Sequence, residues 1–368
     1  MESKKFSNQG PSTAMRIFFG LAVLTVGMTA VRYWVLTKAV PTPDVPETQS
    51  RMFFANGLAM GSTYDVKAVV PDHLYPIENL DSDILKFLRD FNTKFSTYDP
   101  NSEVSQFNKS TSTEWFSVTK EVAELTQMSQ ELSEKCDGAF DITVGPLVDL
   151  WSFGPDKRPR KVPSDEEIAQ ARALVGYKRL EVRLDPPAIR KTIPGLRIDY
   201  NSIAAGYAGD LIGKMLEARG LTNYLVDIGG EIKVSGEKAP GKAWTIAIEK
   251  PSADDESEAS RTIRLKDISI STAGDYRNYF EENGIRYSHT IDLSTGKPIA
   301  HRLSSVTVLE TSCAMADGLD TVLMAMGPDA GYDWAIKNNV PVYMVVKGDD
   351  GFYEKITPSF QEVLAKSP

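Results

Sequence analysis

The C-terminal half of the chain contains six short runs rich in β-branched and aromatic residues, and several of them are separated only by turns. These runs predict strands at 224–228, 244–249, 262–265, 269–271, 304–309 and 340–346. Parallel neighbours need a connection of roughly a dozen residues or more, usually a helix, so short turns favour antiparallel pairing. The sequence therefore predicts a mostly antiparallel sheet.

Helical periodicity is concentrated before these strands. Predicted helices occupy 81–95, 122–132, a segment from a capping box at Ser164 and Glu167 to Gly176, and 203–219. In the first two, apolar residues recur every three or four positions, as on the buried face of a helix. Helices grouped apart from an antiparallel sheet indicate an α+β fold.

Composition narrows the class of protein. Hydrophobic residues make up 42% of the 368 residues and charged residues 25%, both near the averages of globular proteins. The net charge of −9 gives no basic footprint for nucleic acid, so no nucleic-acid partner is expected. Two cysteines and three histidines are too few for a structural zinc site, which needs about four such ligands close together. Any metal should be a hard cation on oxygen ligands.

An apolar segment near the N-terminus divides the chain. Residues 17–36 contain one charged residue, Arg32, and follow a short region with basic residues, 1–16. About 20 apolar residues can span a bilayer, whereas a cleaved signal peptide needs small residues at its cleavage site. We favour an uncleaved transmembrane anchor over a cleaved signal, with 1–16 in the cytoplasm. A proline-rich linker, 37–50, leads to the main domain, 51–368.

Several common catalytic motifs are absent from the sequence. The chain has no G-x-x-x-x-G-K-S/T phosphate loop, no G-x-G-x-x-G that opens a helix, no G-x-S-x-G nucleophile elbow and no H-E-x-x-H zinc motif. The remaining candidates are short runs rich in glycine, aspartate, threonine and aromatic residues.

The segment 314–326 combines an apolar stripe with two oxygen-bearing side chains. At helical spacing, Met315 and Leu319 share one face. Asp317 and Thr321 lie four residues apart and share another face. A carboxylate and a hydroxyl together suit a hard cation such as Mg²⁺, which keeps positions for water and phosphate oxygens. On spacing alone, a solvent-exposed helix face is the more common explanation of such a pair.

Two further segments have features of binding sites. In 198–210, an apolar strand end leads through Ala204 and Gly206 into a helix whose first N–H groups can bind an anion. The alternative is close helix packing through these small residues. In 275–298, turn signals flank a predicted strand that carries His289. A lone histidine in a strand is more often structural than catalytic.

Eight short runs complete the set of motifs. They are MGSTY at 60–64, FSTYDPNSEVS at 95–105, GAFDITVGPLVDLW at 138–151, DYNSIAAGY at 199–207, VDIGGE at 226–231, SISTAGDY at 269–276, SHTID at 288–292 and ADGLDT at 316–321. In this order they resemble the ApbE family, the FAD:protein FMN transferases. No single run is decisive, but eight in the family's order are specific.

The resemblance implies one α+β domain that binds FAD in a cleft between two sub-lobes, with Mg²⁺ on the pyrophosphate. It implies that the metal is held by the backbone carbonyl of Ala204 and the side chains of Asp317 and Thr321. It also implies that His289 is the general base and that Asp317 takes part in catalysis through the metal. The implied FAD contacts are Met60, Tyr98, Ala139, Phe140, Asp141, Asn201, Tyr207 and Ser288.

The family's reaction transfers FMN from FAD to a threonine hydroxyl of an acceptor flavoprotein, forms a phosphodiester link and releases AMP. Charge on the phosphoryl oxygens dominates such a barrier, so a metal ion suits it. A histidine such as His289 can take the hydroxyl proton near neutral pH. Met60, Tyr98 and Phe140 offer soft or flat surfaces for a flavin or adenine ring. Asp141 can accept hydrogen bonds from ring N–H groups.

The chain departs from the family in three respects. Ala205 stands where many members have a lysine, and Asn201 and Ser202 stand where many have glycines. The apolar N-terminal segment takes the place of the family's lipid-anchored cysteine. We therefore expect a helix anchor in the bacterial inner membrane, a periplasmic catalytic domain and an acceptor from a membrane electron-transfer system.

Two alternatives would use the same FAD site. In an FAD pyrophosphatase, water replaces the threonine, and FMN and AMP are released. In a membrane-anchored FAD-binding protein, the cofactor is held without turnover.

Overall fold

An eight-stranded antiparallel sheet forms the centre of the fold. The computed structural model describes residues 50–155, 160–249, 259–274, 279–282 and 284–366. Residues from Ser50 onward form one compact unit. The predicted anchor at 17–36, the segment 1–16 and all but the last residue of the linker 37–50 lie outside the described residues. Within the described ranges, no helix has both the length and the apolar character that crossing a bilayer requires.

The strands pair as the short turns predict. Numbered along the chain, they are β1 Ser50–Ala59, β2 Ser62–Pro71, β3 Phe116–Ser117, β4 Leu180–Leu184, β5 Pro187–Lys191, β6 Tyr224–Ile228, β7 Glu231–Ser235, β8 Trp244–Glu249, β9 Ala259–Leu265, β10 Ser269–Gly274, β11 Tyr279–Glu282, β12 Ile285–Ser288, β13 Ile291–Asp292, β14 Lys297–Pro298, β15 Leu303–Glu310, β16 Val342–Lys347 and β17 Phe352–Ile356. The large sheet has the order β1-β2-β6-β7-β10-β15-β16-β17. All its neighbouring strands are antiparallel, which confirms the predicted pairing.

The helices flank this sheet. They are α1 Leu80–Phe95, α2 Glu103–Lys109, α3 Lys120–Lys135, α4 Gly145–Leu150, α5 Asp165–Arg172, α6 Ala204–Glu217, α7 Cys313–Met326, α8 Ala330–Lys337 and α9 Pro358–Lys366. The predicted helices over 81–95, 122–132 and 203–219 are present as α1, α3 and α6, with slightly different ends.

Helix α5 is shorter than predicted. The predicted capping box is present, because Ser164 Oγ accepts the Glu167 N–H at 3.2 Å and the Glu167 carboxylate accepts the Ser164 N–H at 2.8 Å. The helix nevertheless ends at Arg172 and not at Gly176. The N–H groups of the next turn bond to carbonyls three residues back, which tightens the chain and ends the α-helical pattern.

Both faces of the sheet are covered over its middle strands. Side chains alternate along a strand, so in β16 Val342 and Met344 face one core while Tyr343 and Val345 face the other. Helices α1, α3, α6 and α7 pack on the first face. The β8–β9 hairpin and α9 pack on the second. A ligand site therefore fits best at the ends of these elements.

Candidate functional site

Two tight turns lie next to each other at one end of the large sheet. Met60 and Gly61 join β1 to β2 with φ of 53° and 75°, and Gly229 and Gly230 join β6 to β7 with φ of 72° and 114°. Strands β2 and β6 are neighbours, and the Gly229 N–H donates to the Thr63 carbonyl at 2.9 Å. The predicted FAD contact Met60 therefore lies at this end of the sheet, beside a turn of two glycines.

The N-terminal ends of α6 and α7 lie against each other. The Gly206 N–H, in the first turn of α6, donates to Asp317 Oδ2 at 2.8 Å. A Cβ at position 206 would lie 2.3 Å from the Cys313 carbonyl oxygen, so this approach requires glycine. Close helix packing is thus the correct explanation for Gly206. The anion at this helix N-terminus is the chain's own Asp317 carboxylate.

Asp317 is buried. Asp317 is 6% exposed. The sequence-based explanation that Asp317 and Thr321 form a solvent-exposed helix face is therefore wrong for Asp317. Burial raises the pKa of Asp317 well above its usual range, the charge of Glu231 raises it further, and the Gly206 N–H opposes both effects. A cation beside this carboxylate would therefore be strongly favoured.

Two more carboxyl groups lie near Asp317. Ser271 Oγ on β10 lies 2.5 Å from Asp320 Oδ2 and also contacts Glu231 Oε2 at the start of β7. One hydroxyl has one proton to donate, so the two carboxyl groups share it or one of them is protonated. Burial raises the pKa of Asp320 well above its usual range, and the charges of Glu231 and Asp317 add to this. Thr321 Oγ1 lies 3.4 Å from Asp320 Oδ1, at the edge of the cluster.

This environment fits a divalent cation. Ala204, the first residue of α6, Asp317 and Thr321 offer oxygen ligands only, as Mg²⁺ prefers. Buried carboxyl groups that repel one another gain from a nearby positive charge. In the described part of the chain, no three His, Cys, Asp or Glu side chains converge as a metal site. A metal here would therefore depend on hydroxyl and carbonyl oxygens and on oxygens from outside the protein.

His289 lies in a bend directly after β12 and not within a strand as predicted. Ser288 Oγ accepts the Thr290 N–H at 3.3 Å, and such side-chain-to-backbone bonds favour turns. The His289 ring packs edge to face with Phe153, at 6.4 Å between centroids. The Tyr98 hydroxyl donates to the Phe153 carbonyl at 3.4 Å. Phe153 thus brings two predicted site residues, Tyr98 and His289, into one neighbourhood.

Asp141 lines a cavity of about 400 Å³ between α5 and the segment around Tyr177. Its carboxylate accepts the N–H groups of Thr143 at 2.7 Å and Tyr177 at 2.6 Å. Burial still raises the pKa of Asp141 above its usual value. Neither Asp317 nor Thr321 lines this cavity. The contact between α6 and α7 is the candidate site because it gathers carboxyl and hydroxyl groups from several elements, including Asp317, Asp320 and Ser271.

The remaining predicted FAD contacts differ in exposure. Asn201 is exposed and Ala139 is half-buried. Phe140 and Tyr207 are only 2% and 4% exposed, and the Tyr207 hydroxyl donates to the Glu124 carboxylate at 3.1 Å. The Phe140 ring lies in the core and has no open face in this conformation. A contact between Phe140 and FAD would therefore have to use its backbone.

Sequence reasoning missed the roles of Glu231, Ser271 and Asp320. All three lie in runs that resemble the family, at 226–231, 269–276 and 316–321. Membership in these runs was the one sequence signal that could have identified them as site residues. The pairing of β7 with β10 and the packing of α7 bring them together. Neither contact can be inferred from local spacing.

Comparisons with known proteins identify the family and the fold. The sequence model of the ApbE family matches residues 60–344. The FAD:protein FMN transferase of Vibrio cholerae serotype O1 is 43% identical over 320 residues, covering 87% of this chain and 95% of that protein. The FAD:protein FMN transferase of Haemophilus influenzae is 38% identical over 321 residues, covering 86% of this chain and 93% of that protein. The crystal structure of Pseudomonas stutzeri flavinyl transferase ApbE, apo form, matches with a TM-score of 0.80 and 40% identity, covering 88% of this chain and 100% of that one.

Proposed function

This chain belongs to the ApbE family of transferase enzymes, and from that premise we propose that it is an FAD:protein FMN transferase. The observation that carries the proposal is the contact between α6 and α7, where the Gly206 N–H holds the buried Asp317 carboxylate near Thr321. Oxygen ligands gathered at this contact suit the metal ion that accompanies a dinucleotide pyrophosphate.

Mg²⁺ would be held by the carbonyl of Ala204, the carboxylate of Asp317 and the hydroxyl of Thr321. The ion would supply a Lewis acid that neutralises charge on the phosphoryl oxygens. Asp317 is the charged ligand of this set, and the Gly206 N–H orients its carboxylate. The raised pKa of Asp317 supports this assignment, because a cation offsets the cost of a buried negative charge.

The acceptor is a threonine hydroxyl of a flavoprotein. Its oxygen attacks the phosphorus of the FMN half of FAD, a phosphodiester bond forms, and the bond to the AMP half breaks. His289 takes the hydroxyl proton as general base, and AMP leaves with the electron pair of the broken bond. The contact of the His289 ring with Phe153 supports this role, since a general base must be held in one orientation.

We extend the proposal to the cellular setting. The apolar segment 17–36 anchors the chain in the bacterial inner membrane, and the basic region 1–16 stays in the cytoplasm. The catalytic domain then lies on the periplasmic side. The acceptor flavoprotein belongs to a membrane electron-transfer system on the same side.

Intact-mass spectrometry of an acceptor tests the proposal. The full-length chain is incubated with FAD, Mg²⁺ and candidate electron-transfer proteins that carry an exposed threonine. We expect one acceptor to gain one FMN moiety, and EDTA or replacement of the acceptor threonine by alanine to abolish the gain. Release of FMN and AMP with every acceptor unmodified would contradict the transferase and favour an FAD pyrophosphatase.

A further inference from the structure

Asp210, in the second turn of α6, accepts four hydrogen bonds. Its Oδ1 accepts the Cys313 N–H at 3.1 Å and the Lys233 ammonium group at 2.8 Å. Its Oδ2 accepts the Ser312 hydroxyl at 2.8 Å and the Ala314 N–H at 3.1 Å. Three of these four donors belong to the N-terminal end of α7, so Asp210 caps a helix that is about 100 residues away in the sequence.

Helices α6 and α7 therefore each place a carboxylate at the N-terminal end of the other helix. Asp210 of α6 accepts from the N-terminus of α7, while Asp317 of α7 accepts from Gly206 in the first turn of α6. Each helix N-terminus has a partial positive charge that favours a carboxylate. A Cβ at Gly206 would also lie 2.3 Å from the Cys313 carbonyl oxygen, so the two helix ends lie too close together for a side chain at this position.

We propose that Asp210 is a positioning residue for the metal site. By holding the first turn of α7 on α6, it sets the distance between the Ala204 carbonyl and the side chains of Asp317 and Thr321. The inference rests on the proposed function, because it gives Asp210 a role toward the Mg²⁺ that those three residues would hold. Asp210 itself does not bind the metal.

An aspartate suits this position better than an asparagine. All four partners of Asp210 are donors, and a carboxylate offers acceptor sites on both oxygens. An asparagine would keep one acceptor oxygen and turn an NH₂ group toward two of the donors. Lys233 on β7 supplies the counter-charge and also donates to the Thr311 carbonyl at 3.3 Å, which ties the helix pair to the sheet.

Metal affinity can be measured without turnover. Mn²⁺ is titrated into the FAD-saturated full-length chain, and free Mn²⁺ is counted by electron paramagnetic resonance. We expect Asp210→Asn to weaken Mn²⁺ binding about tenfold to a hundredfold, as is usual when a residue that orients metal ligands is changed. An unchanged Mn²⁺ affinity in folded Asp210→Asn would overturn the proposal.

A matched control separates positioning from general loss of stability. Phe360 on α9 is fully buried and packs on Tyr343, on the opposite face of the sheet. Phe360→Leu should lower the melting temperature while Mn²⁺ affinity stays as in the wild type. Equal weakening of Mn²⁺ binding by Phe360→Leu would overturn a specific role for Asp210.

Two more variants keep the test decisive. If Asp210→Asn does not fold, Ser312→Ala removes one donor to the same carboxylate, and a Mn²⁺ affinity unchanged in Ser312→Ala would overturn the proposal.

Asp317→Ala tests the metal site itself. If Asp317→Ala binds Mn²⁺ as tightly as the wild type, both the proposed metal site and the role of Asp210 fail. If Asp317→Ala loses Mn²⁺ and Asp210→Asn does not, only the positioning role fails.

Discussion

At the scale of the residue, buried carboxyl groups determine how this protein responds to pH. Asp199 is 6% exposed, and its Oδ1 accepts the Asn201 N–H at 2.8 Å. Burial raises the pKa of Asp199 to about 6, with the Asn201 N–H opposing the shift and the charge of Asp149 adding to it. Burial raises the pKa of Asp141 in the same direction. Ionisation of these two carboxyl groups therefore lowers the free energy of unfolding.

The free energy of unfolding should fall as pH rises through this range. A carboxyl group whose pKa is higher in the folded state binds more protons there, so ionisation favours unfolding. For Asp199 the window runs from about 4, the usual value for Asp, to about 6. At 1.36 kcal/mol per pKa unit, the loss is about 3 kcal/mol.

Asp199→Asn should flatten that profile in urea denaturation, because an amide does not ionise. Glu362→Gln, at a side chain that is 70% exposed, should leave the profile as in the wild type. A profile for Asp199→Asn that runs parallel to the wild type between pH 4 and 6 would contradict the cause assigned here.

Substitution of His289 tests the proposed proton acceptor. His289→Ala should lower kcat for FMN transfer by about 10²–10⁴, the usual contribution of a general base, while FAD binding measured by flavin fluorescence stays unchanged. His73→Ala, at an exposed histidine in the turn Asp72–Leu74, is the matched control and should keep wild-type kcat. Equal kcat in the two variants would remove His289 from the mechanism.

At the scale of the element, two glycines on α6 should respond in opposite directions. A Cβ at Gly206 would lie 2.3 Å from the Cys313 carbonyl oxygen, whereas a Cβ at Gly209 would lie 3.5 Å from Cys313 Sγ, an ordinary contact. Gly206→Ala should therefore lower the free energy of unfolding by about 1–3 kcal/mol through overpacking. Gly209→Ala should raise it by about 0.5–1 kcal/mol, because alanine is the better helix former.

Urea denaturation of both variants and the wild type checks this pair. If Gly206→Ala were as stable as Gly209→Ala, α6 and α7 would not be held at the separation described. Mn²⁺ affinity should also fall in Gly206→Ala alone, since a shift of α7 moves Asp317 and Thr321 away from Ala204.

Elements were more predictable from the sequence than the contacts between them. The spacing of apolar residues predicts α1, and the Ser164 and Glu167 pair predicts the start of α5, because both are local effects. The predicted C-terminal end of α5 was wrong. The turn after the helix tightens, and no glycine marks that point in the sequence. The bonds of Asp317 to Gly206 and of Asp320 to Ser271 join residues 111 and 49 positions apart. Spacing within one element gives no information about such contacts.

At the scale of the whole molecule, the residues from Ser50 onward form one compact unit with their own cores. A unit of this kind can fold without its flanking segments. A chain that lacks residues 1–49 should therefore keep the melting temperature of the full-length protein and transfer FMN to a soluble acceptor at the same rate. Only co-sedimentation with membrane vesicles should be lost. A truncated chain that fails to fold would contradict this division of the molecule.

Because both faces of the sheet are covered over its middle strands, we place the candidate site at the ends of its elements. The most direct measurement is the anomalous scattering of Mn²⁺ in a crystal of the FAD complex. We predict an anomalous peak within about 2.2 Å of oxygens from Ala204, Asp317 and Thr321. The pyrophosphate of FAD should lie next to this peak. A pyrophosphate bound elsewhere, with no anomalous peak at the contact between α6 and α7, would contradict the account.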